Sequence, residues 1–166
     1  MALSASVFHV LSFVYAGLSL AGSLLLLFYR KDLATSENEC QFIHLFAVLW
    51  LIFNFTLVYG LCLRDTTFVR IHLYYVQAVF WTFVVALFAL VVSLLAVLVG
   101  LMDEVNLPWA SKVGLAQGAA EVLGIIFLVC CAVLYVVYSI IQGVLKGFIY
   151  ATKRDEEVQV SINIVN

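Results

Sequence analysis

Residues 71–102 read IHLYYVQAVFWTFVVALFALVVSLLAVLVGLM and contain no Asp, Glu, Lys or Arg. A helix needs roughly 20 apolar residues to cross the roughly 30 Å hydrocarbon core of a bilayer, and this stretch exceeds that length. It is too short for two spans joined by a turn. We therefore interpret it as one membrane-spanning helix that is tilted or that projects beyond the lipid headgroups.

Three other parts of the chain share this character. The charge-free windows are 1–29, 40–63, 71–102 and 122–145. Each is long enough for one crossing, so we predict four transmembrane helices near 8–29, 42–63, 74–101 and 119–145. Because short loops force neighbouring helices to run antiparallel, the predicted fold is an all-α membrane protein, an antiparallel four-helix transmembrane bundle. Residues 1–166 form one domain, and residues 146–166 form its tail.

The overall composition excludes several classes of protein. The chain is 66% hydrophobic and only 11% charged, with a mean hydropathy of +1.15. Soluble domains are roughly 45–50% apolar and about 25% charged. A net charge of −2 also gives no basic surface for nucleic acid. The class of protein that fits this composition is an integral membrane protein.

The basic residues predict the orientation, because Lys and Arg collect on the cytoplasmic side of a membrane. With both termini in the cytosol, the second loop and the tail carry more Lys and Arg than the first and third loops. The cytosolic set is Arg64, Arg70, Lys146, Lys153 and Arg154, against Arg30, Lys31 and Lys112 outside. We therefore expect both termini to be cytosolic.

Small residues recur at three- and four-residue spacing along each span. Membrane helices pack through small residues and hydrogen bonds, since lipid tails are as apolar as Leu. The first span carries Ser12, Tyr15, Ser19, Gly22 and Ser23 on one face. The residues predicted to form a helix-contact face are Gly22, Ala89, Ser93, Gly114, Gly118 and Gly124.

A second group of candidates is polar. Glu121 is the one carboxylate inside a predicted span, and an intramembrane ionisable residue is a functional candidate by default. His44 is expected at a similar depth, while Asn54 and Gln77 are strong hydrogen-bonding groups. These four residues either line a polar path or, as the more frequent alternative, act as interhelical hydrogen-bonding groups.

The cysteines and motifs indicate no catalytic chemistry. Cys62 lies at the cytoplasmic end of the second predicted span beside Arg64, which suits S-palmitoylation, although juxtamembrane cysteines are also common without it. The sequence has no Cys/His set with metal-ligand spacing and no hydrolase or nucleotide-binding motif. We therefore expect no metal, no cofactor and no enzymatic activity.

The whole chain resembles a known group of proteins in size and topology. Four spans within 166 residues, very short loops and cytosolic termini are similar to the small tetraspan proteins of arthropods that include the Pasiflora proteins, and broadly to MARVEL-type four-span proteins. The first loop, residues 30–41, lacks the W-G-L-W motif and paired cysteines of claudins. The Pasiflora resemblance implies a septate-junction component in epithelial or glial barriers. The MARVEL resemblance implies membrane apposition or vesicle traffic.

Two hypotheses of function follow. The leading one is a non-enzymatic plasma-membrane scaffold that associates laterally with other membrane proteins or with itself. The alternative is a small transporter, channel or accessory subunit that uses Glu121, with His44, Asn54 and Gln77 as its polar lining.

Overall fold

The computed structural model of the chain describes residues 5–104 and 108–165, with side chains described over 6–102 and 108–160. These residues form four helices, and no strand occurs within the described ranges. The helices are α1 (Ala5–Leu33), α2 (Glu37–Leu63), α3 (Thr66–Glu104) and α4 (Trp109–Val165). Each contains a segment that is long and apolar enough to cross a membrane. The prediction of an all-helical chain with four helices long and apolar enough to span a membrane is confirmed for the described residues.

All four helices extend beyond the predicted spans. α3 has 39 residues and α4 has 57, which at 1.5 Å per residue gives lengths of about 58 and about 85 Å. Only about 30 Å is needed to cross the hydrocarbon. The predicted tail, 146–166, is helical as far as Val165. Its charged residues, such as Lys153 and Glu156, are good helix formers, so the helix continues past the apolar stretch.

Local capping fixes where α2 begins. The Ser36 hydroxyl accepts a hydrogen bond from the backbone N–H of Glu39, at 3.3 Å. The Glu39 carboxylate accepts bonds from the backbone N–H and the hydroxyl of Thr35, at 2.8 and 2.6 Å. The bond from Glu39 satisfies a donor that the first turn of a helix leaves unpaired, and the two bonds from Thr35 hold the preceding residue against that turn.

A left-handed residue ends α2. Arg64 has φ 55° and ψ 27°, and the N–H of Asp65 bonds back to the carbonyl of Gly60 at 2.9 Å. This conformation terminates a helix and turns the chain, so α3 starts only two residues later.

The chain divides into two compact units. The first contains Met1–Val76 and Ile140–Asn166, and the second contains Gln77–Ser139. All four helices contribute to the core of the first unit. Its largest cluster of buried apolar side chains comprises Ala16, Leu57, Leu61, Val69, Leu145, Phe148 and Ile149.

Contacts within the first unit give the direction of the helices. Ser19 of α1 bonds to Asn54 of α2, while Arg30 near the end of α1 reaches His44 near the start of α2. Residues later in α1 therefore meet residues earlier in α2, and the two helices run antiparallel. The stacking of Phe53 on Tyr75, at 4.1 Å between ring centroids, belongs to the following α2–α3 pair.

The second unit consists of parts of α3 and α4 packed against each other. Phe80 stacks on Tyr138 at 4.5 Å, and Phe88 meets Phe127 at 6.1 Å. This pair of contacts again requires an antiparallel arrangement. No residue in the most apolar stretch of either helix is buried, among those that the structure describes. The second unit therefore presents a largely exposed apolar surface.

Candidate functional site

One face of α1 is polar and is buried in the first unit. Ser12, Ser19 and Ser23 are 0%, 7% and 0% exposed. Gly22 lies against α2, since a Cβ atom added there would be 3.4 Å from Cη2 of Trp50. The small and polar residues that the sequence places on this face thus lie at a helix–helix contact.

Asn54 is the centre of a hydrogen-bond network between α1 and α2, and its side chain is 0% exposed. Its Oδ1 atom accepts from the Ser19 hydroxyl at 2.8 Å. Its Nδ2 atom donates to the Ser19 carbonyl at 3.0 Å and to the Ser23 hydroxyl at 3.3 Å. The Ser19 hydroxyl also accepts from Nε1 of Trp50 at 3.0 Å. The network is neutral, and its groups satisfy one another, as a buried polar cluster requires.

A second buried contact joins α1, α2 and α3 through His72, which is 0% exposed. Nδ1 of His72 lies 2.9 Å from the carbonyl oxygen of Phe53, and Nε2 lies 3.1 Å from the Tyr15 hydroxyl. A carbonyl oxygen can only accept, so the hydrogen-bond network assigns the ring proton to Nδ1. Nε2 then accepts from the phenol, and both nitrogens of the neutral ring are satisfied.

Sequence reasoning missed His72 as a site residue. It lies two residues after Arg70, outside the predicted third span of 74–101. The signal that could have found it is its three-residue spacing to Tyr75, which places an imidazole and a phenol on one face of α3.

The four predicted intramembrane polar residues have different surroundings. Asn54 is buried in the network above. His44 is exposed, and its Nδ1 atom accepts from Nη1 of Arg30 at 2.7 Å. Glu121 is exposed and accepts from the Gln117 amide, one turn earlier in the same helix, at 3.2 Å. Gln77 is exposed. In the first unit, Asn54 and His44 thus belong to separate hydrogen-bonded groups.

The predicted glycine face of α4 lies in the second unit and is open. A Cβ atom added at Gly114, Gly118 or Gly124 would meet nothing within 4 Å. Ala89 and Ser93 of α3 are exposed too, and the Ser93 hydroxyl donates to the Ala89 carbonyl at 2.8 Å. The hydroxyl is therefore already satisfied within its own helix and can face an apolar neighbour.

Gly114 and Gly118 belong to a groove of about 540 Å³ between α3 and α4, which we call the α3–α4 groove. Its walls are mostly apolar. Its lining includes Leu94, Leu98, Met102, Gly114, Gly118 and Val122. Small residues set among large apolar side chains form the kind of surface against which membrane helices pack.

Cys62, the predicted acylation site, is exposed at the end of α2. It borders an apolar surface that contains Phe55, Tyr59 and Phe68. The structure thus leaves its thiol accessible. Over the described parts of the chain, no group of three or more His, Cys, Asp or Glu side chains has an arrangement that could hold a metal ion.

Comparison with models of known protein families, with curated proteins and with solved structures finds no match to this chain. Its function is therefore inferred from the exposed surfaces and buried groups described above.

Proposed function

We propose that the chain is a non-enzymatic integral membrane scaffold that associates laterally with other membrane proteins and with copies of itself. As the sequence predicts, its helices α1–α4 form one antiparallel bundle. In this proposal the protein needs no cofactor, because helix–helix packing supplies its function.

The observation that carries the proposal is the α3–α4 groove, in which Gly114 and Gly118 are open to a neighbour. In an exposed helix, glycine is less favourable than alanine by about 1 kcal/mol. Two such glycines one turn apart are useful where another helix approaches closely, since membrane helices gain association energy mainly from close packing. The groove therefore fits an apolar helix of a partner protein.

The buried polar groups also favour a structural role. Asn54, Ser19 and Ser23 bond to one another, and the Tyr15–His72 pair joins α1 to α3. Such interhelical bonds stabilise membrane helices against one another. In our proposal this core fixes the first unit, while the α3–α4 groove binds the partner.

The resemblance to small arthropod tetraspan proteins extends the proposal to location. We place the protein in the plasma membrane with both termini in the cytosol, as a component of septate junctions or a similar barrier. The excess of Lys and Arg in the second loop and the tail supports this orientation.

The alternative of a transporter, channel or accessory subunit has less support. Glu121, its proposed central residue, is exposed and bonds to Gln117 of the same helix. A pH-dependent flux in proteoliposomes that changes with Glu121→Gln would favour this alternative over the scaffold.

The test of the scaffold is Gly118→Leu, which fills the groove. We expect this variant to shift the protein toward the monomer and to reduce co-purification of partners in mild detergent. Gly143→Leu is the matched control, because Gly143 is another exposed glycine of α4 at which an added Cβ meets nothing. If both variants keep the wild-type oligomer profile and partners, the groove is not the contact surface.

A further inference from the structure

Glu121 is the one charged residue in a long apolar part of α4. Residues 113–145 contain no other Asp, Glu, Lys or Arg, and Lys112 and Lys146 stand on either side of them. They belong to the segment Trp109–Val160, which is long and apolar enough to cross a membrane. A carboxylate in such a segment is costly beside lipid, so ionisable residues of membrane helices pair with other polar groups.

The helix itself supplies Glu121 with one neutral partner. In the described part of the chain, its carboxylate accepts a hydrogen bond from the Gln117 amide, one turn earlier, at 3.2 Å. An ionised carboxylate can accept about four bonds, and an amide brings no charge. Glu121 is exposed, as are Gly118 before it and Ile125 after it. The carboxylate is therefore accessible to a second, charged group.

Glu121 lies on a regular seam that is exposed along its length. Five residues of α4 follow one another in alternating steps of four and three, and we call them the α4 seam. They are Gly114, Gly118, Glu121, Ile125 and Leu128. All five are exposed, Ile125 at 62% and Leu128 at 66%. Steps of three and four average 3.5 residues, the spacing at which one helix packs along another.

The α4 seam borders the α3–α4 groove. Gly114 and Gly118 belong to both, and an added Cβ atom at either would meet nothing within 4 Å. Glu121 follows Gly118 by three residues, so the two are neighbours on the helix surface. A helix that packs closely on the glycines therefore comes within reach of the Glu121 carboxylate. Leu94 and Leu98 of α3 also line the groove, so the surroundings of that contact are apolar.

The charge of Glu121 distinguishes between a second copy and another protein as the occupant. Two copies inserted in the same orientation would meet across a two-fold axis, where a residue near the axis faces its own equivalent. Two Glu121 carboxylates would then lie together, and like charges at close range disfavour each other. A Lys or Arg on the helix of another protein attracts the carboxylate instead, and apolar surroundings screen that attraction weakly.

We propose that the α4 seam binds a transmembrane helix of another membrane protein that carries one Lys or Arg at the depth of Glu121. The two glycines admit this helix at close range, and the carboxylate selects it by charge. This selection rests on the proposed scaffold function and specifies the chemistry of the partner.

Synthetic transmembrane peptides test this selection against the full chain in phosphatidylcholine vesicles. Each peptide has about 20 residues of Leu and Ala, with one variable residue that is moved along the helix by one turn at a time. The variable residue is Lys, Leu or Glu. Energy transfer between a dye on the chain terminus and a dye on the peptide measures association. We expect the best Lys peptide to bind severalfold more tightly than the Leu peptide, and the Glu peptide to bind least.

A pair of substitutions shows whether the carboxylate is responsible. Glu121→Gln keeps the size of the side chain and its ability to hydrogen-bond but removes the charge, so we expect the Lys peptide to lose its advantage over the Leu peptide. Glu156→Gln is the matched control, because Glu156 is another exposed carboxylate of α4, and it should leave the advantage unchanged. An advantage that persists in Glu121→Gln, or that the wild type lacks, would overturn the proposal.

Gly118→Leu distinguishes failure of the charge selection from failure of the scaffold function. If Gly118→Leu weakens binding of the Lys and Leu peptides alike and the wild type does not prefer Lys, the scaffold stands and the charge selection is refuted. If neither peptide binds more weakly to Gly118→Leu, both are refuted. Association between two dye-labelled copies of the chain that Gly118→Leu abolishes, and with which the Lys peptide does not compete, would assign the seam to a second copy and contradict the proposal.

Discussion

Replacing Asn54 by leucine tests the hydrogen-bonded core of the first unit. Leucine has a similar volume, so Asn54→Leu removes the polar contacts while leaving little cavity. The substitution breaks three hydrogen bonds, one from the Ser19 hydroxyl and two from the amide to Ser19 and Ser23. Bonds between membrane helices average about 0.6 kcal/mol each, so the expected loss is about 2 kcal/mol in the free energy of unfolding. That loss corresponds to a change of about thirtyfold in the unfolding equilibrium.

Reversible unfolding in mixed micelles, with a rising fraction of SDS, measures this free energy. Trp50 is a suitable fluorescence reporter, because its indole donates to the Ser19 hydroxyl within the same network. Thr56→Val is the control on α2, since the Thr56 hydroxyl bonds only to the carbonyl of Ile52 in its own helix. We expect the control to stay within about 0.5 kcal/mol of the wild type.

An unchanged or increased free energy of unfolding for Asn54→Leu would refute the reasoning. The desolvation of Asn54 would then equal or exceed the energy of its bonds, and the network could not be said to stabilise the α1–α2 contact.

Three further substitutions and one control variant test local features of the fold by the same unfolding assay. Gly60→Ala should destabilise the protein by about 1–3 kcal/mol, because the added Cβ would lie 2.7 Å from Cβ of Phe68. Its control, Gly124→Ala, adds a Cβ in open space and should be neutral or stabilise the protein by up to about 1 kcal/mol. Equal effects of the two substitutions would contradict the close packing at Gly60. Arg64→Gly should stabilise the protein by about 1 kcal/mol, since the left-handed conformation at φ 55° costs a residue with a side chain about that much. A loss of stability would show that contacts of the arginine side chain stabilise the fold by more than the backbone strain costs. Tyr15→Phe should lower stability by about 1 kcal/mol through loss of the bond to the buried imidazole, and a variant as stable as the wild type would argue against that bond.

The sequence predicts the helices of this protein because long stretches without charged residues mark them. The window 71–102 lies within α3, and the predicted spans 8–29, 42–63 and 119–145 each fall within one helix. The boundaries are less predictable, because residues such as Lys153 continue a helix as readily as apolar residues do. The left-handed Arg64 has no sequence signature, since glycine is the usual residue there.

The candidate sites were predictable where they depend on spacing within one helix. The polar face of α1, with Ser12, Ser19 and Ser23, follows from three- and four-residue steps. Contacts between helices could not be obtained in this way. The pairing of Tyr15 with His72 spans 57 positions of sequence, and it depends on how α1 and α3 pack rather than on any local pattern.

The central claim is that the protein associates laterally through the α3–α4 groove. Its most direct test is quantitative affinity purification of the tagged full chain from its native tissue in mild detergent, alongside Gly118→Leu. We predict that the wild type recovers other membrane proteins in near-stoichiometric amounts, and that the variant recovers severalfold less of them. Recovery of the wild-type chain alone, as a monomer, would contradict the account.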